Sequence, residues 1–177
     1  VDYLTDAFTR EALAFIDKHR DEPFFLYLAY NAVHSPLQAP PKYLERVRHI
    51  SDERRRTYAA MLTAMDDGIG AVLSRLREHD LERRTLVIFI SDNGGPPGTG
   101  ASNGPLYGHK GTLYEGGIRV PFVMRWPGVL PTGEMYGHPV ISLDIYPTAL
   151  AAAAATPPEG VRLDGVNLLP FLSKVGG

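Results

Sequence analysis

The sequence contains no cysteine among its 177 residues. The chain therefore has no disulfide framework, no thiolate metal site and no cysteine nucleophile of its own. It also lacks any apolar run near the roughly 20 residues that cross a bilayer, and its N-terminus lacks the basic and then apolar pattern of a signal peptide. The sequence thus predicts no membrane span, and it leaves the redox compartment open.

The charge balance is close to neutral, with 18 Lys and Arg against 20 Asp and Glu and a formal net charge of -2. Nucleic acid is not expected as a partner, because a nucleic-acid surface needs a basic excess. The one dense basic cluster, Arg54-Arg55-Arg56, opens a helical pattern and is predicted to form a solvated face. The length and the 44% hydrophobic content fit one domain with an ordinary core, and no internal repeat divides it.

Three apolar runs predict strands. Residues 24–30 and 85–90 are apolar without alternation, which is typical of parallel strands that are buried on both faces. A third run, 122–126, follows Pro121, and proline in a sheet is confined to strand starts, edges and bulges. The sequence therefore places at least three strands in one sheet.

Helical periodicity fills the intervals between these runs. Thr5 is predicted to cap a helix that ends near residue 20, and an apolar stripe over 58–76 predicts the longest helix. Asp144 is predicted to cap a last helix that runs through the alanines to Ala155, and the tail 164–172 is apolar enough to dock on another element. This alternation predicts an α/β fold with a layered, mostly parallel sheet, helices on both faces, and ligands at the carboxyl ends of strands.

We make further predictions for four residues inside the longest predicted helix. Asp67 points away from the apolar stripe and is predicted to be solvated, whereas Asp66 on its flank is positioned to bond a neighbouring element. Gly68 and Gly70 lower helix propensity, a cost that close packing would justify.

Polar side chains follow two of the predicted strands. Asp92 and Asn93 come directly after the run at 85–90 and place two oxygen donors side by side, and His34 follows the run at 24–30. Lys110 lies farther along between glycines, which permit a ligand to approach closely. Taken singly, each has an ordinary structural reading as a hydrogen-bonded turn, a partly buried histidine or a surface lysine.

These residues belong to an ordered series of short motifs. The series is Phe24-Phe25-Leu26-Tyr27, His34-Ser35-Pro36, Ser91-Asp92-Asn93-Gly94, Lys110-Gly111-Thr112-Leu113-Tyr114-Glu115-Gly116-Gly117-Ile118-Arg119-Val120-Pro121, Ser142-Leu143-Asp144-Ile145-Tyr146-Pro147-Thr148 and Asp164-Gly165. In this order and spacing the chain resembles the sulfatase family, within the alkaline-phosphatase-like superfamily, over nearly its whole length. The resemblance implies an alkaline-phosphatase-like α/β fold and a sulfuric ester hydrolase.

The resemblance also implies roles for individual residues. Asp92 and Asn93 match the family's ligands to a divalent cation, usually Ca²⁺, with Mg²⁺ or another divalent ion as the alternative. His34 matches the residue that contacts the sulfate or protonates the departing oxygen, and Lys110 matches the one that holds sulfate oxygens. His109 has no such match, since the family commonly has a small residue or an arginine there. It either touches substrate or faces solvent.

The chain also departs from the family pattern. Sulfatases attack with a formylglycine made from the cysteine or serine of a Cys-x-Pro-x-Arg motif, and this chain has neither version of it. The family's upstream acidic ligands and its first lysine-histidine pair are also absent, and calcium takes roughly six to eight oxygens. We therefore expect residues 1–177 to be an incomplete, internal part of a sulfatase catalytic domain. The nucleophile region and the C-terminal subdomain would lie outside it, and the chain alone would be inactive.

Two alternatives stay open at this point. One keeps the fold but changes the substrate to a phosphonate or phosphate ester, although Asn93 favours the one-metal branch over the histidine-bearing phosphatases. The other is a catalytically inactive, truncated chain that binds a partner or an anion. The expected substrate is a sulfated small molecule or glycan, and its identity would depend on loops such as 94–108. Family resemblance suggests a periplasmic, secreted or lysosomal protein, and the sequence is silent on oligomeric state.

Overall fold

The computed structural model of the chain describes residues 2–173. These divide into two compact units. The helical unit comprises residues 2–81 and 91–120, and the strand unit comprises residues 82–90 and 121–173. No helix in the described part of the chain is long and apolar enough to cross a membrane.

The helical unit is built from α1 (Leu4–His19), α2 (Pro41–Arg46), α3 (Glu53–Glu78) and the short α4 (Glu115–Ile118). Both α1 and α2 pack against α3. Ala12 and Ile16 of α1 are buried, as are Ala60, Met61 and Ala64 of α3. The longest helix is therefore confirmed. Of its predicted apolar stripe only Met61 and Leu76 are buried, and Leu62 is 45% exposed, so the buried face is shifted toward the small residues Ala60 and Ala64.

The predicted cap of α1 is wrong. The helix starts earlier than predicted, with the bond from the Ala7 N–H to the Tyr3 carbonyl at 2.9 Å, so Thr5 lies inside it. Thr5 is also only 1% exposed. The Thr5 carbonyl instead accepts a bond from Thr9 Oγ1 at 2.9 Å. The N-cap of α3 is Asp52, whose carboxylate accepts a bond from the Arg55 N–H at 2.6 Å.

Asp67 is also not simply solvated. It is exposed, as predicted, but it also pairs with Arg46 of α2 and so joins α2 to α3; Asp66 is exposed as well. A second ion pair joins α1 to the end of α3, where Asp17 accepts bonds from His79 Nε2 at 2.7 Å and from Arg75. These two donors, His79 first, lower the pKa of Asp17. Because the folded-state pKa is lowered, this contact stabilises the fold above the ordinary carboxyl pKa and is lost as the pH falls through the lowered value.

Gly68 and Gly70 differ in their surroundings. A Cβ on Gly68 would lie 2.4 Å from Thr9 Oγ1 and 2.6 Å from the Tyr30 hydroxyl, two atoms that bond each other at 2.8 Å. A Cβ on Gly70 would meet nothing within 4 Å. Close packing thus explains Gly68 and gives no account of Gly70.

This contrast gives a matched pair of stability predictions. Gly68→Ala is expected to destabilise the protein by about 1–3 kcal/mol, because the methyl group must displace the Thr9–Tyr30 hydrogen bond. Gly70→Ala is expected to stabilise it by about 0.5–1 kcal/mol, because alanine is the better helix former and has free space there. Chemical denaturation of the two variants measures both, and an equal effect of the same sign would contradict the packing argument.

The predicted buried strand at 24–30 is wrong. The segment has no regular secondary structure, and its side chains alternate between half-buried and exposed, with Phe25 75% and Tyr27 82% exposed. Within residues 2–173 no strand pairs with it, so an apolar run that would fit a central strand has one face uncovered. Its last residue, Tyr30, is fixed by the bond to Thr9, and burial raises the pKa of its hydroxyl.

The strand unit contains β1 (Val87–Ile90) and β2 (Phe122–Arg125). They pair antiparallel, with Val87 opposite Arg125 and Ile90 opposite Phe122. Both predicted strand positions are confirmed, and Pro121 precedes β2 as expected. The mostly parallel, layered sheet is not seen, because the described residues form this single two-stranded sheet and every β1 residue remains half-buried.

The side chain of Asp144 makes different hydrogen bonds from those predicted. Asp144 ends a short 3-10 turn before α5 (Ile145–Ala152), and its buried carboxylate accepts bonds from the Ile141 N–H at 2.9 Å and the Val166 N–H at 2.8 Å. Asp144 therefore occupies the N-cap position of α5 as predicted, but its side chain bonds the tail and makes no cap bond to the helix's own N–H groups. The tail docks as expected, and α6 (Leu169–Leu172) follows Leu168, which is 3% exposed and donates its N–H to Thr148 Oγ1 at 2.9 Å.

The last predicted helix is shorter than expected. It stops at Ala152 because Ala154 adopts a left-handed φ of 51° and the Ala155 N–H folds back to the Leu150 carbonyl at 2.9 Å. A left-handed residue with a backward hydrogen bond is a common helix end. Five alanines in a row favour a helix, but the helix still ends at this turn.

Candidate active site

Asp92 and Asn93 form a turn in the helical unit, directly after the end of β1. The Asn93 N–H donates to Asp92 Oδ1 at 2.9 Å, and Ser91 Oγ donates to the Asn93 carbonyl at 3.1 Å. Asn93 Nδ2 donates to the Gly94 carbonyl at 3.0 Å, which fixes the orientation of the amide and leaves Oδ1 as its acceptor atom. We call residues 91–95 the Asp92 turn. Asp92 is exposed and Asn93 is half-buried.

Lys110 lies on a second loop, which we call the Lys110 loop (residues 108–112). The loop closes with Thr112, whose N–H donates to the His109 carbonyl at 3.0 Å and whose Oγ1 donates to the same carbonyl at 2.8 Å. Gly111 has a φ of +90°, a conformation that favours glycine over any other residue. The glycine therefore permits the tight turn that presents Lys110.

Helix α4 holds both loops by its backbone. The Gly94 N–H donates to the Gly117 carbonyl at 2.9 Å, and the Gly116 N–H donates to the Tyr107 carbonyl at 2.7 Å. A Cβ on Gly94 would lie 1.8 Å from the Gly116 carbonyl oxygen, and a Cβ on Gly116 would lie 2.3 Å from that of Gly108. A side chain would not fit at Gly116 of the Glu-Gly-Gly motif, because the backbones of the Asp92 turn, of the Lys110 loop and of α4 are in direct contact there.

The structure brings His34 and Lys110 together across 76 positions of sequence, with Lys110 Nζ 3.3 Å from His34 Nε2. His34 Nδ1 lies 2.8 Å from the Ser35 carbonyl oxygen, which only accepts hydrogen bonds. The proton of the imidazole is therefore on Nδ1, and Nε2 offers a lone pair to the lysine ammonium group. In this arrangement Lys110 Nζ is the donor toward His34 Nε2.

His109 is exposed, and its Nδ1 donates to the Lys110 carbonyl oxygen at 2.8 Å. This bond places the imidazole beside Lys110 and leaves Nε2 unused by it. The position agrees with a substrate contact and equally with a solvated side chain, so the role of His109 stays a prediction.

The two pairs of predicted site residues remain separate in hydrogen bonding. Within the described residues no hydrogen bond joins Asp92 or Asn93 to His34 or Lys110. The Asp92 turn and the Lys110 loop are linked indirectly, through backbone bonds to α4. The donors of the Asp92 turn fit a hard cation, since Asp92 Oδ2 and Asn93 Oδ1 are oxygens that the turn leaves available. No group of three or more His, Cys, Asp or Glu within residues 2–173 is placed to hold a metal ion, so the described chain offers only part of a coordination sphere.

Sequence reasoning missed the residues that hold the long loop between the two site loops. Arg54 Nη1 donates to the Gly98 carbonyl at 2.7 Å and Arg55 donates to the Gly100 carbonyl, so these two arginines fix the loop and are not simply a solvated face. One signal was present in the sequence. Arginines in the first turn of a helix interact unfavourably with the helix dipole, which indicates that they have hydrogen-bond partners elsewhere. Asn103 bonds both ends of the loop, and no sequence signal marked it.

Comparisons with known proteins agree on one family. A protein-family model described as Sulfatase matches residues 1–155. Arylsulfatase J of Mus musculus is 39% identical over 173 residues, which are 97% of this chain and 29% of that protein. N-acetylgalactosamine-6-sulfatase of Homo sapiens is 38% identical over 174 residues, 96% of this chain and 32% of that protein. The chain therefore spans about a third of the length of these relatives.

Solved structures show the same relationship in three dimensions. Ps i-CgsB, in complex with k-i-k-neocarrahexaose, matches with a TM-score of 0.92 and 45% identity over 96% of this chain and 38% of that one. The PsFucS1 sulfatase from Pseudoalteromonas sp. matches with a TM-score of 0.86 and 28% identity, over 98% of this chain and 35% of that one. These neighbours have the alkaline-phosphatase-like fold. The family model and the relatives together show that the chain belongs to the sulfatase family.

Proposed function

We propose that this chain supplies the sulfate-contacting and metal-binding side of the active site of a sulfuric ester hydrolase. The observation that carries the proposal is the 3.3 Å approach of Lys110 Nζ to His34 Nε2, from loops far apart in sequence. A structural lysine would pair with a carboxylate or extend into water. Here its Nζ lies within hydrogen-bond reach of an imidazole that offers it a lone pair, and within residues 2–173 Lys110 forms no ion pair with a carboxylate. Its positive charge is therefore available for an anion.

The chemistry of sulfate ester cleavage explains why both groups are needed. The sulfuryl group carries negative charge on its oxygens, and the departing alkoxide or phenoxide gains charge as its bond breaks. Lys110 supplies fixed positive charge, and glycines on either side of the loop permit a sulfate to approach it. The proton for the departing oxygen comes either from the Lys110 ammonium group or from His34 once its Nε2 has taken a proton.

We further propose that Asp92 and Asn93 hold a divalent cation, Ca²⁺ first and Mg²⁺ as the alternative. Such an ion, when bound, would neutralise charge on the sulfate oxygens. The turn supports this role because it binds its own backbone through Asp92 Oδ1 and Asn93 Nδ2, and the two remaining oxygens are the type that calcium prefers. The other ligands and a formylglycine nucleophile would come from a region upstream of this sequence. The chain by itself would then lack turnover.

The expected substrate is a sulfated glycan. Support comes from the relatives, among them N-acetylgalactosamine-6-sulfatase and the structure that holds k-i-k-neocarrahexaose. A further structure, of BT4656 with D-glucosamine-2-N,6-O-disulfate, matches with a TM-score of 0.56 and 27% identity over 67% of this chain. Residues 94–108 would contribute to substrate choice, and a periplasmic, secreted or lysosomal location stays a prediction.

The experiment that tests the proposal uses the full-length enzyme that includes the upstream region. Purified enzyme is assayed against matched sulfate, phosphate and phosphonate esters, with calcium and after chelation. We expect hydrolysis of the sulfate ester that chelation abolishes and calcium restores. Faster turnover of the phosphate or phosphonate ester would assign the site to the other branch of the superfamily, and full activity after chelation would contradict the metal role.

Single variants of the Asp92 turn test the metal ligands separately. Asp92→Ala is expected to weaken calcium binding by roughly tenfold or more and to lower the rate, because it removes a charged ligand, and excess calcium should recover part of the rate. Asn93→Ala should do the same more mildly, because the lost ligand is neutral. Calcium titration by calorimetry alongside the assay measures both. The exposed Asp66→Ala is the control, and an unchanged calcium affinity in Asp92→Ala would refute this ligand assignment.

A further inference from the structure

The Asp92 turn and the Lys110 loop are joined by a long irregular segment. Residues 96–107 contain no helix or strand, so within this segment no regular backbone pairing sets the distance between its two ends, and the bonds to α4 restrain that distance from outside. The proposed chemistry needs that distance to be fixed, because a cation on one loop and an ammonium group on the other must act on the same sulfate. A side chain that ties both ends would therefore matter to the reaction.

Asn103 makes such a tie. Its Oδ1 accepts a bond from the Gly95 N–H at 2.7 Å, and its Nδ2 donates to the Gly95 carbonyl at 2.8 Å. The same Nδ2 donates to the Gly108 carbonyl at 3.3 Å. Gly95 lies two residues after Asn93, and Gly108 lies two residues before Lys110. The one amide thus reaches both loops and uses both of its Nδ2 hydrogens to do so.

The surroundings fit a close contact that only small residues permit. A Cβ on Gly95 would lie 2.4 Å from the Cβ of Ala101, so the segment folds tightly back onto the Asp92 turn. Gly108 has a φ of +97°, and its carbonyl oxygen also lies where a Cβ on Gly116 of α4 would fall, at 2.3 Å. Asn103 and α4 therefore both contact the Gly108 carbonyl oxygen.

We propose that Asn103 is a positioning residue that sets the Lys110 loop against the Asp92 turn. In this proposal Asn103 contacts neither substrate nor cation and acts only through its bonds to Gly95 and Gly108. The inference rests on the proposed function for its effect on rate, and it makes a separate structural statement that can be tested without turnover. Helix α4 connects the same two loops by backbone bonds. Loss of the Asn103 side chain is therefore expected to increase the mobility of the two loops while the protein stays folded.

The test compares Asn103→Ala and Asn103→Asp with the wild type in the full-length enzyme. Asn103→Asp keeps the size and the acceptor for the Gly95 N–H, but it loses both donated bonds and sets carboxylate oxygen against two carbonyl oxygens. Both variants are expected to lower kcat by about 10- to 100-fold, with the folded fraction at the assay temperature unchanged and calcium affinity within roughly threefold of the wild type. The matched control is Asn167→Ala, which removes an amide in the strand unit, outside both loops, whose Oδ1 accepts one bond from the Leu169 N–H at 3.0 Å.

Hydrogen exchange supplies the second readout. In Asn103→Ala the amides of Gly94 and Gly95 and those of 108–112 should all exchange faster, by roughly tenfold or more, while α3 stays protected. Faster exchange at Gly94 and Gly95 alone would overturn the tie to the Lys110 loop. A kcat equal to that of the wild type, once normalised to folded protein, would overturn the positioning role. A wild-type enzyme that cleaves no sulfate ester would contradict the proposed function instead, and the exchange pattern would still decide the structural claim.

Discussion

Replacing Lys110 by alanine is expected to lower kcat of the full-length enzyme by about 10²-fold or more while calcium affinity stays within roughly threefold of the wild type. The rate falls because a preorganised positive charge is lost where negative charge develops, and removing one such group typically costs that much. Calcium binding survives because Asp92 and Asn93 hold their orientation through the turn's own hydrogen bonds and make none to Lys110. Steady-state kinetics and calcium titration on the same preparations measure the two effects.

Two further variants make this result specific. Lys18→Ala removes an exposed lysine from the last turn of α1 and should leave the rate unchanged. Lys110→Arg keeps the charge but replaces a compact ammonium group with a planar fork, so it should recover part of the rate and not all of it. A Lys110→Ala enzyme with normal kcat, or one that lost calcium binding in parallel with rate, would contradict the separation of roles between the two loops.

The parts of the site that the sequence predicted are those that depend on a few adjacent residues. Asp92 and Asn93 form a turn because their side chains bond their own backbone, and Lys110 is presented by a left-handed Gly111. Such interactions are local, so motif reading is enough to find them. The approach of His34 to Lys110 was predicted as a shared function through family resemblance, and the 3.3 Å distance follows only from the folded chain.

The parts that could not be predicted depend on partners far along the chain. Thr5 and Asp144 have the right chemistry to cap helices, but burial and a distant N–H, that of Val166, use them differently. The run at 24–30 was read as a buried strand because apolar composition does not show whether a neighbouring strand is present. Asn103 went unnoticed for the same reason, since a single amide in a glycine-rich loop carries no periodicity and no charge.

Replacing His34 by alanine is expected to have an effect that depends on the leaving group. If the proton for the departing oxygen passes through His34 Nε2, the loss should reach about 10²- to 10⁴-fold for esters of poor leaving groups such as sugar alcohols. Activated aryl sulfates should lose much less, because a stable phenoxide departs with little protonation. The logarithm of kcat, plotted against the leaving group's pKa, should therefore become steeper in His34→Ala.

The hydrogen bonds in the structure make this a discriminating experiment. His34 Nδ1 donates to the Ser35 carbonyl and Nε2 faces Lys110 Nζ, so Lys110 is the donor that competes with His34 for this proton transfer. Kinetics of His34→Ala and Lys110→Ala across one leaving-group series separate the two, with His49→Ala as the control for an exposed histidine elsewhere in the helical unit. A steeper slope in His34→Ala alone assigns the proton transfer to the imidazole. A steeper slope in Lys110→Ala with an equal loss on every ester in His34→Ala would leave His34 only a contact to the sulfate and make Lys110 the acid.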